Sequence, residues 1–257
     1  MTGEFSPDWL TLREPADAAA RDRTLVETLR ETLSGPLVVR DLGCGTGSMG
    51  RWLAPRLKGP QHWVLMDRDP VLLAHAESHL PAGVTVETRQ GDVTGLTGAD
   101  LAGTSLVTCS ALLDLLTTEE VEGLAAACAE AGAAALFTLS VTGEVSLDPA
   151  DPLDDEVAAA FNEHQRRESD GRRLLGPDAA DVAAAAFGKV GATVAVRPAV
   201  WRLSSDTDPL ADEWLAGWSG AALEQRPDLR LDEYLRRRAA DGFAASVGHA
   251  DVLATFV

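Results

Sequence analysis

Three glycines and three aspartates carry most of the chemistry that the sequence displays. Val38 to Ala54 reads VVRDLGCGTGSMGRWLA. Counted from Gly43 it spells G-x-G-x-G through Gly45 and Gly47. Counted from Gly45 it spells G-x-G-x-x-G through Gly47 and Gly50, the spacing that seats a dinucleotide. Either count puts bare backbone amides at the start of a helix, where a ligand can approach closely. The preceding apolar run ends at Val39 and Asp41 stands before Gly43, so the strand register favours the first count. Starting at Gly45 leaves Asp41 to Cys44 as an unexplained spacer.

Two further carboxylates follow at strand ends. HWVLMD, His62 to Asp67, reads as a buried strand whose last residue can accept from both hydroxyls of a ribose. Gln90-Gly91-Asp92-Val93 closes the next strand. Asp92 there can accept from an adenine amino group while apolar side chains sandwich the ring.

As a set, these residues resemble the class I S-adenosylmethionine-dependent methyltransferases. The matching stretches are Asp41 to Gly47 (DLGCGTG), Val64 to Pro70 (VLMDRDP), Gly91-Asp92-Val93, and Cys109 to Leu116 (CSALLDLL), within residues 37–141. The resemblance implies a doubly wound, mostly parallel, seven-stranded Rossmann-like α/β sheet with an antiparallel last strand, and S-adenosylmethionine as cofactor. It places Asp41, Gly43, Cys44, Gly45 and Gly47 under the methionine part, Asp67 at the ribose, and Asp92 with Val93 at the adenine. It also places Cys109 beside the cofactor and Arg13 at the methionine carboxylate. Two residues depart from the pattern. Arg68 stands where an apolar residue usually stacks on adenine, and its guanidinium plane can stack instead. Asp114 stands where a histidine is often found.

Asp114 and His164 are the candidate proton acceptors, and Ser110, Arg173, Trp218 and His249 the candidate contacts to a methyl acceptor. Each has a plainer reading. Asp114 can cap the helix that follows, His164 can lie on a polar helix face, and His249 can be a satisfied sheet histidine. Trp214 and Trp218, one turn apart, can be core. No cluster has metal-ligand spacing, G-x-S-x-G is absent, and no Asn-Pro-Pro-aromatic tetrapeptide follows the fourth strand. With a formal net charge of −18, this points to a small-molecule acceptor and away from nucleic acid. The alternatives are a nicotinamide-dependent oxidoreductase, which would use the second glycine count, and a catalytically idle cofactor-binding partner subunit.

These residues need a scaffold, and 257 residues suit one α/β domain. Strands are predicted at Leu37 to Leu42, His62 to Asp67, Val84 to Gln90, Ser105 to Cys109, Ala134 to Val141, Thr193 to Leu203 and Ala244 to Phe256. Helices fit between them at Ser48 to Leu57, Pro70 to Leu80, Thr118 to Ala131 and Pro177 to Val190. Pro15 is expected to open an amphipathic helix through Leu25, Leu29 and Leu33. This gives a single domain over 1–257. It comprises an N-terminal helical cover at 8–34, a cofactor core at 37–141, and two long connections, 142–176 and 204–242, expected to form a substrate lid. Cys44, Cys109 and Cys128 show no C-x-x-C pairing, a reduced, cytoplasmic pattern. The N-terminus shows no basic-then-apolar leader. The longest apolar run, Gly123 to Leu139, is broken by Glu130, so no membrane association is expected. A monomer and a homodimer fit the sequence equally.

Overall fold

The structure is a computed structural model and describes residues 6–256. Two helices come first, α1 (Pro7–Ala20) and α2 (Arg23–Thr32). Pro15 therefore lies inside α1 and opens no helix. The break falls at Arg21 and Asp22, where Asp22 caps α2 by accepting from Leu25 N (3.0 Å) and donates its own N–H to Asp251 Oδ2 (2.8 Å).

The core then alternates strand and helix. Strand β1 (Leu37–Leu42) leads through the glycine turn to α3 (Ser48–Leu53), and β2 (Gln61–Asp67) leads to α4 (Pro70–His79). Pro70 sits at the start of α4, where its missing N–H costs nothing, and Asp69 caps that end through Val71 N (2.7 Å). Strands β3 (Thr85–Gln90) and β4 (Leu106–Ser110) are joined by turns. Helix α5 (Thr118–Ala131) begins with a reciprocal Thr117/Glu120 capping box and ends at Gly132. Strand β5 (Ala134–Asp148) follows, then α6 (Asp154–Gln165) and a small hairpin of β6 (Glu168–Ser169) and β7 (Arg172–Arg173). The chain closes with α7 (Ala179–Lys189), β8 (Thr193–Ser204), α8 (Pro209–Gln225), α9 (Asp232–Asp241) and β9 (Ala244–Thr255).

Among the described residues, seven strands form one sheet in the order β3-β2-β1-β4-β5-β9-β8, and β9 runs antiparallel to both neighbours. The strand order reverses at β1 and β4, so their carboxyl ends open a crevice on that edge. Leu42 pairs with Met66 on one side and Cys109 on the other, which brings the ends of β1, β2 and β4 level. Strand β5 runs on past Val141, because β9 continues to pair with it across two irregularities of register.

Packing decides the second long connection. Trp214 and Trp218 of α8 stack with ring centroids 5.3 Å apart, inside an apolar cluster that also holds Trp201, Tyr234 and Phe243. Trp9, Leu12 and Ala16 of α1 pack against the same cluster. The face expected to wall an acceptor is thus core, and Trp218 is 2 % exposed.

Candidate active site

The rest of the site is placed around the glycine turn. Gly43, Gly45 and Gly47 have φ of 60°, 54° and 86°, a backbone region that side chains disfavour. Gly50 lies inside α3, has no such φ, and packs on Leu80. The first count is therefore the one the backbone uses. A Cβ on Gly45 would stand 3.2 Å from Leu10 Cδ1, so α1 lies directly on the turn. Arg51 fixes that contact by pairing with Glu14 of α1 and donating to the Thr46 carbonyl.

Asp67 organises the turn from the β2 side. Its Oδ2 accepts from Gly45 N (2.9 Å) and its Oδ1 from Asp69 N (3.0 Å), so one carboxylate ties the glycine turn to the start of α4. A carboxylate has about four lone-pair sites, so two remain for a ribose. Asp41 lies deeper, 1 % exposed. Its Oδ1 accepts from Thr108 Oγ1 (2.7 Å), while its buried Oδ2 has no partner among the described residues. Burial pushes the Asp41 carboxyl up to about 7, against the Thr108 bond and Arg21, with Asp67 adding to the rise.

These groups border a cavity of about 390 Å³. Its glycine end holds Asp41, Gly43, Cys44, Gly45 and Ser48, its middle Asp67 and Arg68, and its far end Asp92, Val93, Thr94 and Leu115. Helix α1 contributes Leu10, Arg13 and Asp17, and β4 contributes Ser110. An acidic floor with an unpartnered buried oxygen suits a ligand that carries positive charge, and a sulfonium beside an ammonium is such a ligand.

Arg21 stands behind this wall. It donates to Ser110 Oγ (2.9 Å) and Ser48 Oγ (3.2 Å), and its Nε has no partner among the described residues. Burial lowers its pKa, opposed by Asp17, Asp251 and Asp41. Arg13 instead pairs with Asp17 (3.0 Å), stacks 4.8 Å over Trp201, and shares Asp17 with Trp201 Nε1 (3.1 Å). Sequence reasoning named Arg13 and missed Leu10, Asp17 and Ser48. The signal was present in part, since residues 10, 13, 17 and 21 recur at helical spacing.

Several predicted residues lie off the cavity. Cys109 is buried in the core cluster, and its neighbour Ser110 lines the cavity instead, because successive strand side chains face opposite ways. Gly47 shapes the turn but packs on Ala76. Arg173 borders a second, open groove and does not reach the cavity, whereas Arg172 on the same hairpin borders both. His164 is held by Glu224 (3.2 Å) between α6 and α8, and burial followed by Arg167 lowers its pKa. His249 is sealed in β9 with Nδ1 on the Val247 carbonyl (3.1 Å) and Trp201 over its ring. Burial, with Arg13 adding, pushes its pKa down to about 4. Trp218 is core. Asp114 follows two cavity residues, Ala111 and Leu112. It is buried, and its Oδ1 has no partner among the described residues. Burial raises its pKa, against its own backbone N–H, Arg13 and Arg167.

Residues 39–132 match the family described as "Methyltransferase domain". The fold is similar to that of magnesium protoporphyrin IX methyltransferase (ChlM) from Synechocystis PCC 6803, solved with bound SAH. Identity is 13 % over 100 % of this chain and 90 % of that chain, with a TM-score of 0.51. It is similar to the cyclopropane synthase MmaA2 from Mycobacterium tuberculosis at 13 % identity over 98 % and 95 %, TM-score 0.53. It is also similar to the YcgJ protein from Bacillus subtilis at 11 % over 92 % and 100 %, TM-score 0.53. At such identities the likeness is one of fold. No curated protein matches the chain in sequence. Residues 39–132 are thus a methyltransferase domain, set in a fold that solved methyltransferases share.

Proposed function

We propose that the enzyme methylates an O, N or C atom of a small molecule, as part of bacterial secondary metabolism. The observation that carries this is the cavity itself. Its volume of about 390 Å³ suits one small ligand, the cofactor, and α1 covers its glycine end, so an acceptor must reach the methyl group past that helix. A long polymer would need α1 to swing away, and a net charge of −18 repels nucleic acid. Three buried free cysteines, Cys44, Cys109 and Cys128, support a reducing, cytoplasmic setting. Among the described residues, no helix is long and apolar enough to cross a membrane.

When bound, S-adenosylmethionine supplies a methyl group already activated on a positive sulfur. The chain's own residues then bind, orient and screen. The glycine turn offers amides, Asp67 the ribose acceptor, and Asp92 with Val93 the adenine edge. Ionised Asp41 offsets the positive charge of the methionine end. Arg21, through Ser48 and Ser110, and Arg13 on the cavity wall supply cationic counterparts for a carboxylate. Helix α1 excludes water, which strengthens each of these contacts. Asp114 is the proposed proton acceptor for a nucleophile that must lose a proton, since it has an unpaired oxygen and stands in the chain between Leu112 and Leu115, which border the cavity.

The test is transfer from methyl-labelled S-adenosylmethionine into fractionated extract of a producing bacterium. Label in the low-molecular-weight fraction is expected. Label confined to RNA, DNA or protein overturns the small-molecule reading, and binding of the cofactor with no transfer to any fraction favours an idle partner subunit.

A further inference from the structure

The β6–β7 hairpin reaches across to the cofactor cavity through one side chain. Arg172 Nε and Nη2 bond the two oxygens of Glu120 (2.8 and 2.6 Å), and Nη2 also donates to the Leu115 carbonyl (3.1 Å). Glu120 is itself held by the helix it caps, since its Oε2 accepts from Thr117 N (2.9 Å). The guanidinium plane is therefore fixed by three bonds to two partners. Nη1 makes no bond among the described residues, and Arg172 lines the cavity beside Asp92, Val93, Thr94 and Leu115.

Asp92 faces it with the opposite chemistry. Its Oδ1 accepts from both Thr94 N and Thr94 Oγ1 (2.8 Å each), which leaves Oδ2 for a ligand. Arg172 and Asp92 lie close enough to act on one another electrostatically. The far end of the cavity thus presents a fixed donor and a fixed acceptor together. An adenine carries a matching pair, an amino group that donates and ring nitrogens that accept. A guanidinium already paired with a carboxylate can serve a neutral base without demanding an anion from it.

We propose that Arg172 reads the cofactor's adenine, donating from Nη1 to a ring nitrogen while Asp92 accepts from the amino group. Glu120 is the positioning residue that aims it. The hairpin is then a specificity element of the cofactor site, supplied by a connection outside the matched residues 39–132. The inference rests on the adenine occupying the Asp92 end of the cavity.

The experiment is calorimetric titration of the whole protein with S-adenosylhomocysteine and its 1-deaza and 7-deaza analogues, which lack one or the other of the two ring nitrogens that flank the amino group. Arg172→Met keeps the stem and removes the donors. It should weaken S-adenosylhomocysteine binding about ten- to hundredfold, the range for a bond to a charged group. One deaza analogue should bind the wild type correspondingly weaker and be indifferent to the substitution. Glu120→Gln keeps an acceptor for Thr117 and should give a smaller loss with the same ligand selectivity. An equal loss for all three ligands, or no loss for any, overturns the Arg172 assignment alone. Unchanged S-adenosylhomocysteine affinity in Asp92→Ala places the adenine elsewhere and overturns the cofactor reading with it.

Discussion

Removing the Asp67 carboxylate should damage the free protein as well as its affinity for cofactor. In the structure this group accepts from Gly45 N at 2.9 Å and Asp69 N at 3.0 Å. Each amide bonded to a charged acceptor is worth about 1.5–3 kcal/mol. Asp67→Ala strands both amides, giving an upper bound of roughly 3–6 kcal/mol. They border a cavity that water can enter, so partial rehydration reduces the expected loss of stability to about 2–3 kcal/mol. The ribose contact is a further loss in binding, about ten- to hundredfold in the dissociation constant. Asp67→Asn keeps an oxygen for one amide and turns an NH₂ toward the other, so its stability loss should fall between that of the alanine variant and zero.

Urea denaturation of the ligand-free protein, followed by the fluorescence of its buried tryptophans, measures the first effect, and calorimetry with S-adenosylhomocysteine the second. If Asp67→Ala were as stable as the wild type and only binding fell, the carboxylate would be a ligand contact with no part in holding the glycine turn. If both were unchanged, the assignment of the ribose end would be wrong.

Asp41 gives a pH signature. Its pKa of about 7 lies above the ordinary carboxylate value of 3.8, so the stability it contributes is complete below about pH 4 and is lost as pH rises through 7. For the same reason, affinity for the positively charged cofactor should rise about tenfold from pH 6 to pH 8, and this rise should flatten in Asp41→Asn. Gly45→Ala forces a side chain into φ of 54° and against Leu10 Cδ1, and should cost cofactor affinity about tenfold or more while displacing α1, read by proteolysis near residues 7–20. Trp218→Ala should destabilise the fold by about 3–5 kcal/mol with no selective loss of acceptor affinity, because the ring packs in core. Amides of α8 that exchange as fast as those of exposed loops in the ligand-free enzyme would sink that reading and restore the lid.

What the sequence made legible follows from where the physics is local. Left-handed φ values need glycine, so Gly43, Gly45 and Gly47 declare the turn by type alone, and central strands such as β2, β4 and the start of β5 show as apolar runs. The same continuity hides which way each side chain points. In β4 nothing in LVTCS says that Ser110 and not Cys109 meets the cavity, and in the hairpin nothing separates Arg172 from Arg173, since a one-residue shift exchanges the faces. Pro15 shows a different failure. Proline at the start of a helix is a sound local signal, but α1 already begins at Pro7, and the real break is made by Asp22, whose N–H is held by Asp251 far along the chain. The spacing of Trp214 and Trp218 told that they share a face and could not tell what covers it. That face is covered by packing that includes α1, whose adjoining face carries Leu10, Arg13 and Asp17 into the cofactor cavity. One helix therefore joins the apolar cluster to the cofactor site. Loosening the cluster should weaken cofactor and acceptor binding together, which a lid resting only on the acceptor would not do.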